Sequence, residues 1–272
     1  PFLGILPSTS TFGASDIINL RNLVRRHPLF SGIDYNTNPW NSVWYNALQI
    51  RFEKRAYSRS AGAVTWVVSY TFAKQMERFL RNEHHFEVEQ PVSQLTSIDR
   101  AQQLSFSGVW DLPLGKGRRW ANTSNKVVNA LLGGWNYNWI LTYYSGIPTG
   151  RNGDWTFTCG DPRVADQGPA QWFNNTRSCY TQRAPFTFRE IEERFGNIRN
   201  PAYGPQLNMA VAKKFRFSER YQLEFRGESF NTTNTPILDG PNTGPTNPLF
   251  GQLPIQQLNF PRQIQLGLRL TF

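Results

Sequence analysis

The chain has 272 residues, two Cys and a formal net charge of +10, with a mean hydropathy of −0.50. That length suits one large domain or two. No apolar run reaches the roughly eighteen residues of a membrane-spanning helix, and Lys and Arg are scattered rather than gathered into a stripe or motif that would grip nucleic acid. A polar average still permits a membrane protein built from strands, because only alternate residues of such strands meet lipid.

Segment 1–41 is rich in Gly, Pro, Ser and Asn, and it opens on Pro1 without Met or a signal peptide, as a fragment or processed chain would. Seven segments with period-two alternation follow. The first, near Trp44 to Lys54, sets Leu48, Ile50 and Phe52 against Gln49, Arg51 and Glu53. From Ala63 to Ala73, Val64, Trp66, Val68, Tyr70 and Phe72 oppose Thr65, Ser69 and Thr71. From Gln103 to Leu112, Leu104, Phe106, Trp110 and Leu112 oppose Ser105, Ser107 and Asp111. Trp135, Tyr137, Trp139, Leu141 and Tyr143 then oppose Asn136, Asn138 and Thr142. The fifth segment, Leu207 to Lys214, is weaker, because Lys213 breaks an apolar row of Leu207, Met209 and Val211. The sixth sets Tyr221, Leu223 and Phe225 against Gln222, Glu224, Arg226 and Glu228. The last places Ile264, Leu266, Leu268, Leu270 and Phe272 on one face, with Gln265, Gly267, Arg269 and Thr271 on the other.

Each segment is about ten residues, the length of a tilted strand crossing a bilayer. The connections alternate. Tyr57-Ser-Arg-Ser60 and Phe217-Ser-Glu-Arg220 are short, the stretch beginning Gly115-Lys-Gly-Arg-Arg119 is intermediate, and 75–102, 145–206 and 231–262 are long. Outer-membrane β-barrels combine short periplasmic turns with long outer loops. The expectation is therefore an all-β antiparallel meander over 42–272, located in the bacterial outer membrane, with its apolar faces on lipid. Segment 1–41 would lie outside the cell or in the lumen. Trp44, Trp66, Tyr70, Trp110, Trp135, Trp139 and Tyr143 are the candidate membrane-interface aromatics. Ile264, Leu266, Leu268, Leu270 and Phe272 look like the carboxy-terminal signal read by the barrel assembly machinery. Seven strands are too few for a plugged barrel of about 22 strands. The expected object is an open curved sheet, the carboxy-terminal part of a larger barrel.

Several stretches in order resemble the barrel of Oar-like TonB-dependent receptors: Tyr45-Asn-Ala-Leu-Gln49, Val68-Ser-Tyr-Thr-Phe-Ala-Lys74, Trp110-Asp-Leu-Pro-Leu-Gly-Lys-Gly-Arg-Arg119, Leu132-Gly-Gly-Trp135, Ser145-Gly-Ile-Pro148, Phe195-Gly-Asn197, Phe225-Arg-Gly-Glu-Ser-Phe-Asn231 and Pro261-Arg-Gln-Ile-Gln265. Pro1-Phe-Leu-Gly-Ile-Leu-Pro7 resembles a segment preceding these strands. The resemblance implies uptake of a carbohydrate, peptide or metal chelate, with a plug and a segment contacting the TonB system upstream. Two alternatives remain: a structural or adhesive surface barrel, and a soluble carbohydrate-binding β-sandwich.

Candidate sites are few. Cys159 and Cys179 share the longest loop, and a disulfide there suits an oxidising compartment. Glu83-His-His-Phe-Glu-Val-Glu89 could set His85, Glu87 and Glu89 on one strand face, but it lacks a fourth ligand and reads as solvated loop. Gly115-Lys-Gly-Arg-Arg119 lacks the spacing of a nucleotide phosphate loop. Lumenal Arg51, Glu53, Glu224, Arg226, Glu228 and Arg269 read as charges pairing across strands and hydrating a wall. No acid–base or nucleophilic arrangement stands out, so no enzyme, cofactor or metal site is expected. Trp155, Phe157, Trp172, Phe173 and Tyr180 would suit capture of a sugar or peptide, and equally a loop packing on itself.

Overall fold

The computed structural model describes residues 41–58, 60–79, 91–185, 187, 194–218 and 220–272. The chain divides into two units, 1–40 and 41–272. The first lies outside the described residues, as does the His85, Glu87 and Glu89 cluster.

The second unit is built on strands β1 (Ser42–Ser58), β2 (Gly62–Phe79), β3 (Val92–Leu95), β4 (Gln102–Asp111) and β5 (Trp135–Tyr144). Short strands β6 (Pro148–Gly150), β7 (Trp155–Phe157), β8 (Tyr180–Gln182) and β9 (Arg194–Arg199) follow in the longest loop. Strands β10 (Tyr203–Arg216), β11 (Gln222–Phe230) and β12 (Gln263–Thr271) complete the set. The main sheet runs β1-β2-β4-β5-β10-β11-β12, every neighbour antiparallel, with β3 added beside the end of β2. This is an open antiparallel meander. Among the described residues β1 and β12 each pair on one side only.

The seven long strands are those that the alternation marks, and the differences lie at their ends. β2 continues to Phe79 and β3 returns along it, so the first long loop is shorter than 75–102. β10 begins at Tyr203, inside the expected loop 145–206, with a register shift between Tyr203 and Gln206. The third loop occupies 231–262 as expected. At 17 and 18 residues, β1 and β2 exceed the roughly 9 to 11 needed to cross a bilayer. Their ends on the long-loop side run past β4, which pairs with β2 only as far as Phe72.

Register explains why these sequences pair. Ile50 faces Tyr70, Tyr70 faces Leu104 and Leu104 faces Tyr143, and the next row on the same face runs Val68, Phe106, Leu141, Leu207. Further along, Lys213 faces Phe225 and Phe225 faces Leu268. A slip of one residue in any strand would move its whole apolar set to the other face. One face is thus predominantly apolar over seven strands, interrupted by Lys213 among others, and Leu266 and Leu268 on it are about 70% exposed. The opposite face carries Gln49, Arg51, Thr65, Ser69, Ser105, Asn138, Glu224, Arg226 and Arg269.

The buried core sits beyond the sheet. Phe173, Cys179, Tyr180, Phe195, Ile198 and Phe250 form one cluster, with Trp155, Phe157 and Trp172 packed against it. All belong to the long loops after β5 and β11.

Helix content is small among the described residues: α1 (Lys126–Leu132), in the connection between β4 and β5, and one 3-10 turn at Arg177–Cys179. Asn125 caps α1, its side chain accepting from the backbone N–H of Val127 and Val128.

Candidate functional site

The long-loop end is a folded cap. Loop 145–206 makes two small ribbons, β6 with β9 and β7 with β8. The disulfide Cys159–Cys179, with Cα atoms 5.3 Å apart, ties the loop to itself across β7 and β8. Phe173 is fully buried, its ring centroid 5.2 Å from Phe195 and 5.3 Å from Phe250. Tyr180 packs edge-on against Phe250 at 4.8 Å and donates its hydroxyl to the Asn174 carbonyl at 2.6 Å. Burial pushes the Tyr180 phenol up from its ordinary value.

Loop 231–262 is stitched to the same body. Trp172 donates its backbone N–H to the Gly251 carbonyl at 2.7 Å, and Leu253 donates to Pro169 at 2.9 Å. The Asn175 amide donates to the Phe250 carbonyl, and Arg177 donates to Asn247. Trp155, Phe157, Trp172, Phe173 and Tyr180 therefore pack on the loop's own core. Of the two readings open for these aromatics, the structure selects self-packing.

Two arginines of β9 fix the cap to the sheet. Arg194 donates to the Glu77 carboxylate and to the Leu95 carbonyl, and both ionic side chains are largely buried. Arg199 donates to Asp99 Oδ2 at 2.5 Å, to the Asp99 carbonyl at 3.1 Å and to Gly146 at 3.0 Å. Asp99 Oδ1 accepts from the Gln75 backbone N–H at 2.6 Å. Glu77 lies in β2 on the polar face, in register with Gln75 and Thr71. Neither clamp was visible in the sequence: the partners are 100 residues or more apart, and no local pattern links them.

The polar face holds its charges in pairs. Arg226–Glu228 at 2.7 Å, Arg55–Glu53 at 2.8 Å and Arg51–Glu53 at 3.4 Å join residues two apart along one strand. Among the described residues Lys214–Glu224, at 4.0 Å, joins β10 to β11, and the Arg194–Glu77 pair of the cap joins β9 to β2. Pairing across strands was the expectation. Side chains two apart point the same way, and the exposed face lets an arginine fold back along its own strand. Near the short-turn end Asp111, Asn136, Asn138, Lys214, Glu224 and Arg226 line an open cleft of about 500 Å³. No group of three or more His, Cys, Asp or Glu is placed to hold a metal among the described residues.

The candidate interface aromatics fall in different places. Trp110 donates its indole N–H to Ala61 at 2.7 Å, and Trp135 donates to Leu131 at 3.0 Å, both at the short-turn end. Trp44, Tyr70 and Tyr143 lie toward the long-loop end of the same face. Trp66 and Trp139, expected at an interface, sit mid-strand on either side of Gly108. Their rings join a ladder of Phe52, Trp66, Phe106, Trp139 and Tyr137, with successive centroids 5.2 to 5.9 Å apart. Gly108 provides the room, since a Cβ there would lie 2.2 Å from the Trp139 ring. The residues named as an assembly signal, Ile264, Leu266, Leu268, Leu270 and Phe272, end the sheet on its apolar face.

Lys213, the residue that breaks the apolar row, gains a physical reason. It is 3% exposed and donates to the carbonyls of Leu131 and Gly133 at the end of α1. Its ammonium lies 5.4 Å from the Trp135 centroid and 5.1 Å from that of Phe215.

A single-layer antiparallel wall, apolar on one face and polar on the other, with short turns at one end and a folded cap at the other, defines a transmembrane β-barrel wall. Residues 7–265 match the family of outer membrane beta barrel domains, and the chain belongs to that family. It is a protein of the bacterial outer membrane. No curated protein and no solved structure shows significant similarity to the chain. The sandwich alternative falls, because a sandwich needs a second sheet on the apolar face and the described residues supply none.

Proposed function

We propose that this wall and its cap belong to a TonB-dependent, Oar-like receptor that takes up a nutrient, either a carbohydrate, a peptide or a metal chelate. The observation that carries the reading is the cap itself. The longest outer loop is folded around its own core and clamped through Arg194 and Arg199 to groups at the outer end of β2, Glu77 on its polar face among them. A loop anchored to the polar face of the wall lies on the side that would line the lumen of a closed barrel, where it could meet an entering solute. The likeness of Trp110 to Arg119 and of Phe225 to Asn231 to Oar-like receptors supports it. Among the described residues β1 and β12 pair on one side only, which also fits a wall of a larger barrel, since a lipid-spanning sheet must close. Outer-membrane lipid, the barrel assembly machinery and the TonB system are the partners of this reading.

A second reading, a structural or adhesive surface barrel, draws on Leu249, Ile255, Leu258 and Phe260, all exposed in the outer loop. Growth on a panel of oligosaccharides, peptides and metal chelates separates the two. The strain lacking this gene and the strain lacking TonB should fail on the same nutrient. Unchanged growth of both, with lost attachment to surfaces or cells, would refute uptake.

A further inference from the structure

The β4–β5 connection, residues 112–134, holds Lys116, Arg118, Arg119 and Lys126 and no Asp or Glu. It folds against the end of β10 to enclose an open cleft of about 530 Å³ lined by Lys116, Arg118, Lys126, Lys214, Arg216 and Phe217. No acidic residue lines it among the described residues. Lys214 lies 4.0 Å from Glu224 of the neighbouring strand, but the other cations gathered around one space repel, so the cleft favours an anion there.

The walls are built rather than loose. The Lys116 backbone N–H donates to Asn129 Oδ1 at 2.6 Å, and the Gly133 N–H donates to the Asn129 carbonyl at 2.9 Å. Gly115, at φ +103°, lies so close to Gly133 that a Cβ would meet its Cα at 2.6 Å. Arg118 is held over the Tyr57 ring at 5.8 Å. Lys213 closes the inner side by filling the carbonyls at the end of α1.

Apolar groups accompany the cations. Leu114, Phe215 and Phe217 line the cleft, Phe217 being 70% exposed, and Trp120, Val127, Leu131 and Leu132 of the same connection are exposed. A soluble anion would gain nothing from those apolar groups. Phe215 and Trp135 begin the apolar face immediately beside the cleft. A ligand with a phosphate in the cleft and hydrocarbon along Trp135 and Phe215 would satisfy both parts.

We propose that this cleft binds the headgroup of an anionic phospholipid in the inner leaflet and anchors the periplasmic end of the barrel. The site needs only the short-turn end to face the periplasm, as in other outer-membrane barrels. It stands whether or not the barrel transports.

The test uses the full-length protein in detergent, with bound lipid counted by native mass spectrometry. Phosphatidylglycerol, phosphatidylethanolamine and soluble glycerol phosphate are offered in turn. Phosphatidylglycerol should be retained in preference to phosphatidylethanolamine, with no competition from glycerol phosphate. Lys116→Gln, Lys126→Gln and Arg216→Gln combined should weaken that retention about a hundredfold, at about fivefold per cation. Lys126→Gln alone, on an exposed side chain that threatens no fold, should weaken it about fivefold. Equal retention of the two lipids, or retention unchanged in both variants, overturns the proposal. Equal competition by glycerol phosphate would also overturn it, by assigning the site to a soluble phosphate.

Discussion

Asp99→Ala should release the cap from the wall without melting the wall. Asp99 is 1% exposed and its carboxylate receives two hydrogen bonds, one from Arg199 and one from the Gln75 backbone. Truncation leaves the Gln75 N–H unsatisfied, at about 1–3 kcal/mol. It also strands the Arg199 guanidinium. Breaking a buried ion pair costs about 3–5 kcal/mol, but Arg199 keeps 28% exposure and two carbonyl acceptors, so roughly 1 kcal/mol is assigned to it. The sum, about 3 kcal/mol, corresponds to roughly a hundredfold rise in the open population of the cap. Amide hydrogen exchange on the full-length protein reads this directly, at β9 and at Asn200, whose N–H donates to Ile147 at 2.8 Å. Protection there should fall about a hundredfold while β4 and β5 are unchanged. Adding Arg199→Met to Asp99→Asn should recover part of the loss, because no uncompensated guanidinium then remains. Unchanged exchange in β9, or equal loosening of β4 and β5, would refute the clamp.

Leu268→Arg should lower barrel stability by about 2–4 kcal/mol in urea titrations in lipid, while Arg269→Leu, one residue on, should change it by less than about 1 kcal/mol. Removing the Cys159–Cys179 bond, which closes a separation of 20 residues, should cost the cap about 3 kcal/mol in the chain-entropy account and expose 160–178 to added protease first. Tyr180 favours its neutral form in the folded cap. Its contribution is therefore complete below the ordinary phenol value near pH 10 and is lost as pH rises through the higher folded value. Ultraviolet titration should show tyrosine ionisation extending above the ordinary range, and Tyr180→Phe should remove one phenol from that late step.

The strands were legible because a two-faced wall writes its period directly into the chain. Ile264 to Phe272 alternates without a break and Val64 to Phe72 does so except at Val67, and each lies as a strand on the register that alternation demands. Loop asymmetry was legible for the same reason, since the gaps between alternating segments could be counted. What escaped was the order inside the gaps. β6, β7 and β8 have three residues each, too few to show a period. Their stability comes from Phe173, Phe195 and Phe250, which converge from distant parts of the chain. Helix α1 escaped because its seven residues are held by Asn125 and by Lys213 from another strand. Lys213 was visible as a break in pattern, and the break marked a lysine satisfying carbonyls near the membrane boundary. Trp139 misled because tryptophan alone does not distinguish an interface from a ring packed over Gly108.

The central claim is that one wall presents lipid on one face and water on the other. Single cysteines placed in turn from Val64 to Thr71 in β2, spin-labelled in the full-length protein in bilayers, test it most directly. Collisions with oxygen should peak at 64, 66, 68 and 70, and collisions with a water-soluble nickel chelate should peak at 65, 67, 69 and 71. The two profiles would alternate with period two and opposite phase. Profiles in the same phase, without period, or with the two faces exchanged would contradict the account.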